Sequence, residues 1–562
     1  MSTQDGTRPP RDITVPAWRR RLARLRRSTD WIRRPQVVGR WYRGFSYVWH
    51  LLVWSRISAG RRGTLPIELP ERMLRHKGIP LPPPHLDASG HPDARAVSDG
   101  FAEVYALLFA NLQRPDLLSS TRHAIPGPAF RGVYLWDSAF IAQIWAAWDT
   151  AVAADVLRAV VELRDGDRLQ HVVTEFHESP YTQPPLIAWS LARLAEQLND
   201  DAAEALIRPL YRPLCDYQRW LEAHRRFASG LYFWAHPYES GVENAPRFSN
   251  TDESVLRNTA TLTAVDLSSY VVLQLDALAS LAERLDLADE ASRHHAEAER
   301  LRALIDRLLW DERDGLYYDC DGAGSPVRVA TIASLLPLWA GVPDAERAAR
   351  LMRHIVAPDG FGTLMPLPSV ARADQHFERD MWRGPVWLNT AYGVILGLQR
   401  YGRADLAAEL AWRLCTGVYR VFDRERRIYE FYDPDAHHTR DLHRKRGNRW
   451  KALTLGTGPQ RDFVGWTGLV NNLLLEVLLG LDLGPDSMHL CPRLPPEAQG
   501  LKLRLKLPRR QLELSLDAGK DDATGSVRFA GRHARFGIGY GHRLDLAAAL
   551  DGNTEEPDHA LL

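Results

Sequence analysis

From about residue 96 to residue 483, apolar side chains recur at intervals of three and four, the spacing that collects them on one helix face. Val265, Leu267, Tyr270, Val271, Leu273, Leu275, Leu278 and Leu281 form one such stripe. The pattern predicts helices over roughly 96–113, 136–149, 151–164, 182–198, 199–224, 264–285, 287–309, 326–339, 343–356, 384–400, 402–419 and 462–479. They come in pairs, and the loops rich in Gly, Pro and aromatics are confined to alternate connections. This predicts a mainly α chain folded as a closed double ring, an (α/α)6 barrel with its long loops gathered at one mouth. A solenoid of helix pairs is the rival, but no constant-period self-similarity supports it.

Outside residues 96–483 the pattern changes. Residues 1–63 carry many Arg and no Lys, with Trp18, Trp31, Trp41, Trp49 and Trp54 interleaved. A basic aromatic segment can touch anionic lipid or nucleic acid. The preferred reading is an N-terminal arm whose Trp side chains pack on the main domain while Arg faces water, so peripheral membrane contact is not favoured. Residues 64–95 are Pro-rich and read as a linker or extended wrap. Over 484–550 the period becomes two, as in LKLRLKL (501–507) and QLELSL (511–516). That predicts a small C-terminal antiparallel β module, a sandwich packed on the barrel.

A net charge of +1 gives no reason to expect a nucleic-acid partner. Cys215, Cys320, Cys415 and Cys491 lie far apart without a CxxC pair, which argues against a zinc site, a redox motif or a disulfide framework. Free thiols suit a reducing compartment. The N-terminus lacks the apolar run of a signal peptide, and Phe45–Trp54 is too short to span a bilayer, so the expected location is cytoplasmic.

The chemistry concentrates in Gly230–Asn250, GLYFWAHPYESGVENAPRFSN, where Glu239 and Glu243 stand among Trp234, His236, Tyr238, Arg247 and Phe248. Gly and Pro break any regular element there, so the stretch reads as an ordered loop. Carboxylates ringed by aromatics suit glycoside hydrolysis: ring faces stack on sugar C–H surfaces and a carboxylic acid protonates the glycosidic oxygen. A charged surface loop is the plain alternative. Four further stretches share the character. VYLWDSAF (133–140) holds Trp136 and Asp137 at a helix start, where Asp137 either accepts from sugar hydroxyls or caps the helix. YTQPPLIAW (181–189) holds Gln183, and RDMWRGPVWLNTAYG (379–393) holds Trp382, Arg383 and Trp387. In RIYEFYDPDA (427–436), strand alternation would point Glu430 away from Tyr429 and Phe431.

Read in order, WDSAF, TQPPLIAW, ESGVENAPRF, FGTLMPLPSV, WRGPVWLN and IYEFYDP resemble the ordered motifs of glycoside hydrolase family 63, a group related to trehalases. The likeness covers roughly residues 100–480, and a set in order is more specific than any one motif. It implies an (α/α)6 catalytic barrel and an inverting mechanism without metal or organic cofactor. The family's general acid falls on Glu243 and its general base on Glu430. Trp136, Asp137, Gln183, Trp234, Asn244, Arg247, Trp382, Arg383 and Trp387 are the positions expected to bind the sugar. Where the family has Asp, Glu243 adds one methylene, about 1.5 Å of reach. The region after Ala436, HHTRDLHRKRGNRWKALTLGTGPQRDF, is unusually basic, and reads as a solvated insertion ahead of a lid over an anionic aglycone.

The expected function is therefore an exo-acting inverting glycosidase cleaving an α-glucoside or α-mannoside of a small molecule or short oligosaccharide. Two rivals stand beside it: a catalytically weak or inactive carbohydrate-binding or scaffolding protein on the same fold, and a phosphorylase using phosphate as acceptor.

Overall fold

The computed structural model describes residues 69–551, apart from residues 117, 175–176, 249–257 and 486. The Arg/Trp arm expected over 1–63 lies outside the described residues.

What remains of the Pro-rich segment differs from a spacer. Glu71–His76 forms a short helix (α1) and His85–Ser89 a strand (β1). Leu74, Ile79 and Leu86 are buried. The strand pairs antiparallel with Lys502–Leu507 (β2), with Leu86 opposite Leu505. Alternation explains it, because Leu86 faces inward while its neighbours face water, so the segment runs as a wrap that completes a distant sheet.

The helices follow the apolar stripes. They are α2 (Ala94–Asn111), α3 (Leu135–Ala146), α4 (Thr150–Glu162), α5 (Ile187–Ala195), α6 (Asp200–Arg225), α7 (Val265–Glu283), α8 (Ala288–Leu308), α9 (Ala345–Val356), α10 (Leu388–Arg400) and α11 (Ala404–Glu425). Side-chain caps mark several starts: Asp149 accepts from Ala151 and Val152 N–H, Asn199 from Ala202 and Asp344 from Arg347. Helix α5 begins only at Ile187 because Pro184 and Pro185 disfavour helical backbone before them. The element expected over 326–339 is a 3-10 helix, Ile332–Leu338, with Pro337 removing a donor. The last apolar run, Leu469–Leu478, starts α-helical and continues with π-type bonding.

Among the described residues, six apolar elements touch one another in a closed cycle. Helix α3 packs on α5, α5 on α7, α7 on the 3-10 helix, that helix on α10, α10 on Leu469–Asn472, and this last on α3. All twelve residues of α3 are buried, as befits a helix apolar all round. Helix α7 is long and apolar enough to cross a bilayer, yet it lies inside this core. Around the cycle, α4 lies against α3, α6 against α5 and α7, α8 against α7, and α11 against α10 and α2.

The C-terminal strands form one antiparallel sheet in the order β1–β2–β3–β4–β5, with β3 Leu512–Ala518, β4 Asp522–Phe529 and β5 Arg532–Gly539. Leu503, Leu505 and Leu507 of β2 are buried while Lys502, Arg504 and Lys506 are exposed, the period-two pattern of the sequence. A small three-stranded sheet lies beside it in sequence, so the module is a sheet and a ribbon. The sheet is fastened to the helical body by β1 against α2 and by Arg509, which donates to the Ala146 carbonyl at 3.0 Å.

Candidate active site

A cavity of about 590 Å³ opens where the loops entering the inner elements meet. The start of α3 gives it Trp136 and Asp137, and the segment before α5 gives Tyr181 and Gln183. The Gly230–Asn250 stretch contributes His236, Tyr238, Gly241 and Glu243. Trp382 and Trp387 come from the loop before α10, and Glu430, Arg444 and Leu455 from the long connection after α11. Glu243 and Glu430, far apart in the chain, line the same space.

The wall is aromatic. Trp382 and Trp387 stack at 3.8 Å between centroids, Trp387 stacks on Phe431 at 4.6 Å, and Trp136 meets Trp466 edge-on at 5.6 Å. Such faces match sugar C–H surfaces. Local sequence builds this geometry. Pro237–Ser240 forms one helical turn, capped by His236 Nδ1 accepting from Tyr238 N–H at 3.1 Å, and Gly241 ends it with φ 72°. A Cβ at Gly241 would overlap the Trp136 ring, so glycine is required twice over, for backbone and for contact.

Asp137 is buried in the first turn of α3, and desolvation raises its carboxyl well above the ordinary range. Its own backbone N–H opposes this in part, and the neighbouring Glu243 adds to it. Asp137 does not occupy the N-cap, which is Tyr134. Glu430 is buried, and its neighbours Tyr429 and Phe431 are buried too. The alternation expected of IYEFY is therefore absent: this stretch makes isolated bridges, Val386 with Tyr432 and Tyr429 with Arg461, and both faces are covered. Glu430 N–H donates to the Gln460 carbonyl at 3.0 Å, and the Trp466 indole donates to the Glu430 carbonyl at 2.8 Å. The Glu430 carboxylate pairs with the buried guanidinium of Arg444.

One strap, residues 379–382, connects the two carboxylates. On one side Asn244, next to Glu243, donates to the Asp380 carbonyl at 3.2 Å and accepts from Trp382 N–H at 3.0 Å. On the other, His443 N–H donates to the Arg379 carbonyl at 2.8 Å, and the His443 carbonyl accepts from Met381 N–H at 3.0 Å. Asn244 thus orients the strap and is absent from the cavity lining.

Three further expectations are corrected. Arg247 does not reach the cavity: it is buried between Asp266 and Asp319, with Nη1 2.9 Å from Asp319 Oδ2. Trp234 points its indole at Asp266 Oδ1, 2.9 Å away, on the same buried network. Arg383 is held by Glu378, with Nε donating at 2.8 Å. In each case a carboxylate outside the motif captured the polar atoms. Glu239, the second carboxylate of the opening stretch, is likewise committed, taking both Arg225 bonds (2.6 and 2.9 Å) and Ala235 N–H at 2.9 Å.

Sequence reasoning missed Arg444, Tyr181, Phe463 and Trp466 as lining residues. Trp466 had a signal, since DFVGWTG repeats the Gly-flanked aromatic character of the other motifs. Arg444 had none within its run of basic residues. Outside the cavity, Cys215, Glu290 and His294 bring their ligand atoms within 4.8 Å of one another across α6 and α8, a grouping invisible from cysteine spacing. There Glu290 already accepts from Tyr211 at 3.0 Å and from Arg212 at 3.1 Å.

Residues 131–449 match the mannosylglycerate hydrolase MGH1-like glycoside hydrolase domain, more than half of the chain and most of the cavity. The chain belongs to this glycoside hydrolase family. As a member of the GH63-like group it is a glycoside hydrolase. Mannosylglycerate hydrolase of Thermus thermophilus is 29% identical over 402 residues, spanning 57% of this chain and 93% of the relative. Periplasmic trehalase of Citrobacter koseri is 26% identical over 454 residues, 70% of this chain and 73% of the relative. Among solved structures, a GH63 mannosylglycerate hydrolase from Thermus thermophilus in complex with glucose superposes with a TM-score of 0.54 at 25% identity, covering 66% of this chain and 98% of that one. The GH63-like glycoside hydrolase described here has a mainly helical body, which carries the family match, and a small antiparallel sheet whose C-terminal strands lie beyond that match.

Proposed function

We propose that the chain is an inverting, exo-acting glycosidase for a small α-glucoside or α-mannoside, with Glu243 as general acid and Glu430 as general base. The closed cycle of inner helices is read as an (α/α)6 barrel, with the catalytic unit over 96–483 and the β module over 484–550. The observation that carries the reading is the shared cavity: both carboxylates line one aromatic-walled space of about 590 Å³, the size of a small-molecule site. Inversion requires a water on the face of the sugar opposite the acid.

The surroundings support separate roles. Arg444 beside Glu430 favours its charged form, which a base needs. Burial raises the Asp137 carboxyl, and the neighbouring Glu243 adds to the rise, so the two side chains face each other across the site. In this reading Asp137 accepts from a sugar hydroxyl and Glu243 gives its proton to the glycosidic oxygen. Trp136, Gln183, Trp382 and Trp387 would hold the sugar ring. The relatives include a mannosylglycerate hydrolase and a structure of one in complex with Tris and D-glycerate, so a glycoside with an acidic aglycone belongs in the first panel. A cytoplasmic location fits the four unpaired thiols.

The test follows initial products by NMR for wild type, Glu243→Gln and Glu430→Gln on α-linked aryl and small-molecule glycosides. Both variants are expected to lose at least about a hundredfold, with product of inverted configuration from wild type. Retained configuration, or full turnover by Glu430→Gln, would overturn the assignment. Glu243→Asp restores the family's usual acid and is expected to change the rate several-fold, because misplacement of about 1 Å can cost on the order of a hundredfold.

A further inference from the structure

We infer that Arg444 is the positioning residue of the base Glu430, and that the basic segment after Ala436 is built to deliver it. The inference rests on Glu430 being the base and names the device that holds it. The sequence after Ala436 suggests a solvated insertion, and Arg446 and Arg449 fit that description, while Lys445 is half-buried with its ammonium 5.1 Å from the centre of the Tyr238 ring. Arg444 does not. Its side chain is 2% exposed, and it pairs with Glu430, itself 4% exposed. Desolvating a guanidinium costs several kcal/mol unless a partner and further bonds compensate, so an arginine turned inward from a charge run has a specific reason to be there.

Its attachments form a complete mount. Arg444 N–H donates to the Thr457 carbonyl at 2.8 Å, and Nε donates to the Gly458 carbonyl at 3.2 Å, closing the loop on itself at its neck. The flanking residues tie the neck to the strap described above: His443 pairs with Arg379 and Met381, and Arg446 N–H donates to Asp380 Oδ2 at 2.9 Å. The guanidinium lies over the Phe431 ring at 5.4 Å. The other end of the neck completes the grip, for Gln460 N–H donates to Glu430 Oε2 at 3.3 Å, the same oxygen that Arg444 meets.

The consequence is chemical. Two groups, the Arg444 guanidinium and Gln460 N–H, meet Oε2 and fix the orientation of the carboxylate that takes the proton from the attacking water. Arg stays protonated throughout the working range, so Glu430 is held charged before catalysis and held in one rotamer during it. The same strap reaches Asn244 beside Glu243, so Arg444 fixes the base in the frame that orients the acid.

The test is the pH dependence of kcat and kcat/KM for wild type, Arg444→Gln, Arg444→Lys and Glu430→Gln on the glycoside that wild type turns over, with circular dichroism confirming the fold. Arg444→Gln is expected to lower kcat by on the order of tenfold to a hundredfold at little change in KM, and to move the acidic limb to higher pH. Arg444→Lys restores the limb through its charge but recovers kcat only in part, because it lacks the fork that also reaches Gly458. An Arg444→Gln enzyme with wild-type kcat and limb overturns the inference. So does a loss confined to KM, which would make Arg444 a substrate contact. If Arg444→Gln fails to fold, Arg444→Lys decides alone, and wild-type kcat in that variant refutes the need for the fork. Full activity in Glu430→Gln instead removes the underlying assignment, a result no Arg444 variant can mimic.

Discussion

Replacing Arg247 by Met separates two accounts of the same motif. As a sugar-binding residue, Arg247 would leave stability almost untouched and lower kcat/KM when lost. The structure points elsewhere. Arg247, Asp266 and Asp319 are 2–3% exposed, and the guanidinium bonds both carboxylates. Asp266 also accepts from the Trp234 indole and from Leu267 N–H, while Asp319 accepts from Val265 N–H at 2.9 Å. The network therefore ties the loop carrying Glu243 to the start of α7 and to the segment after α8. Met preserves much of the volume but strands two buried carboxylates, a loss of about 3–5 kcal/mol. The pH dependence carries a sign. Burial raises Asp319 to about 6, with Arg247 opposing and Asp266 adding to the rise. A raised carboxyl contributes stability that is full below its unfolded value of 3.8 and is lost as pH rises through about 6. Without Arg247 that window extends upward, so the deficit of Arg247→Met should be larger at pH 7.5 than at pH 5. Urea unfolding at both values measures it, and adding Asp266→Asn and Asp319→Asn should recover more than half. A deficit under about 1 kcal/mol with kcat/KM collapsed would refute the buried-network account and return Arg247 to the sugar.

Gly241→Ala should cost about 1–2 kcal/mol for the left-handed backbone alone, and more because its Cβ would press on Trp136. Since Trp136 lines the cavity, kcat/KM should fall with stability, and an enzyme of wild-type activity and melting temperature would contradict the packing. Asp137→Asn addresses the buried carboxyl beside Glu243. Because the folded-state value is raised, Asp137 contributes stability below 3.8 that is lost as pH rises. The variant should therefore gain in melting temperature relative to wild type on going from pH 4 to pH 8; a difference independent of pH would deny the raised value.

The parts of this fold legible in sequence are those set by neighbours three or four residues away. Apolar stripes found the helices, and Pro184 and Pro185 account for the late start at Ile187. Period-two patterning found the strands of the C-terminal sheet but not β1, whose partner β2 lies more than four hundred positions later and whose Pro-rich flanks read as a spacer. Glu430 was placed in the site by motif order, while the strand-alternation expectation for its neighbours failed because residues 428–432 make bridges on two sides and have no solvent face.

The arginines expose the limit most sharply. Arg247 sits inside a sugar-binding motif yet turns away, and Arg444 sits inside a charge run yet turns in. Local sequence suggested the opposite for both. What decides is the location of the nearest buried carboxylate: Asp266 and Asp319 for Arg247, Glu430 for Arg444. A guanidinium cannot shed its charge on burial as a carboxyl or an amine can, so it enters the interior only where an anion already waits. For a chain this rich in Arg, the position of each one is a property of long-range topology, and a motif that includes an Arg fixes its backbone but leaves open which way its side chain will turn.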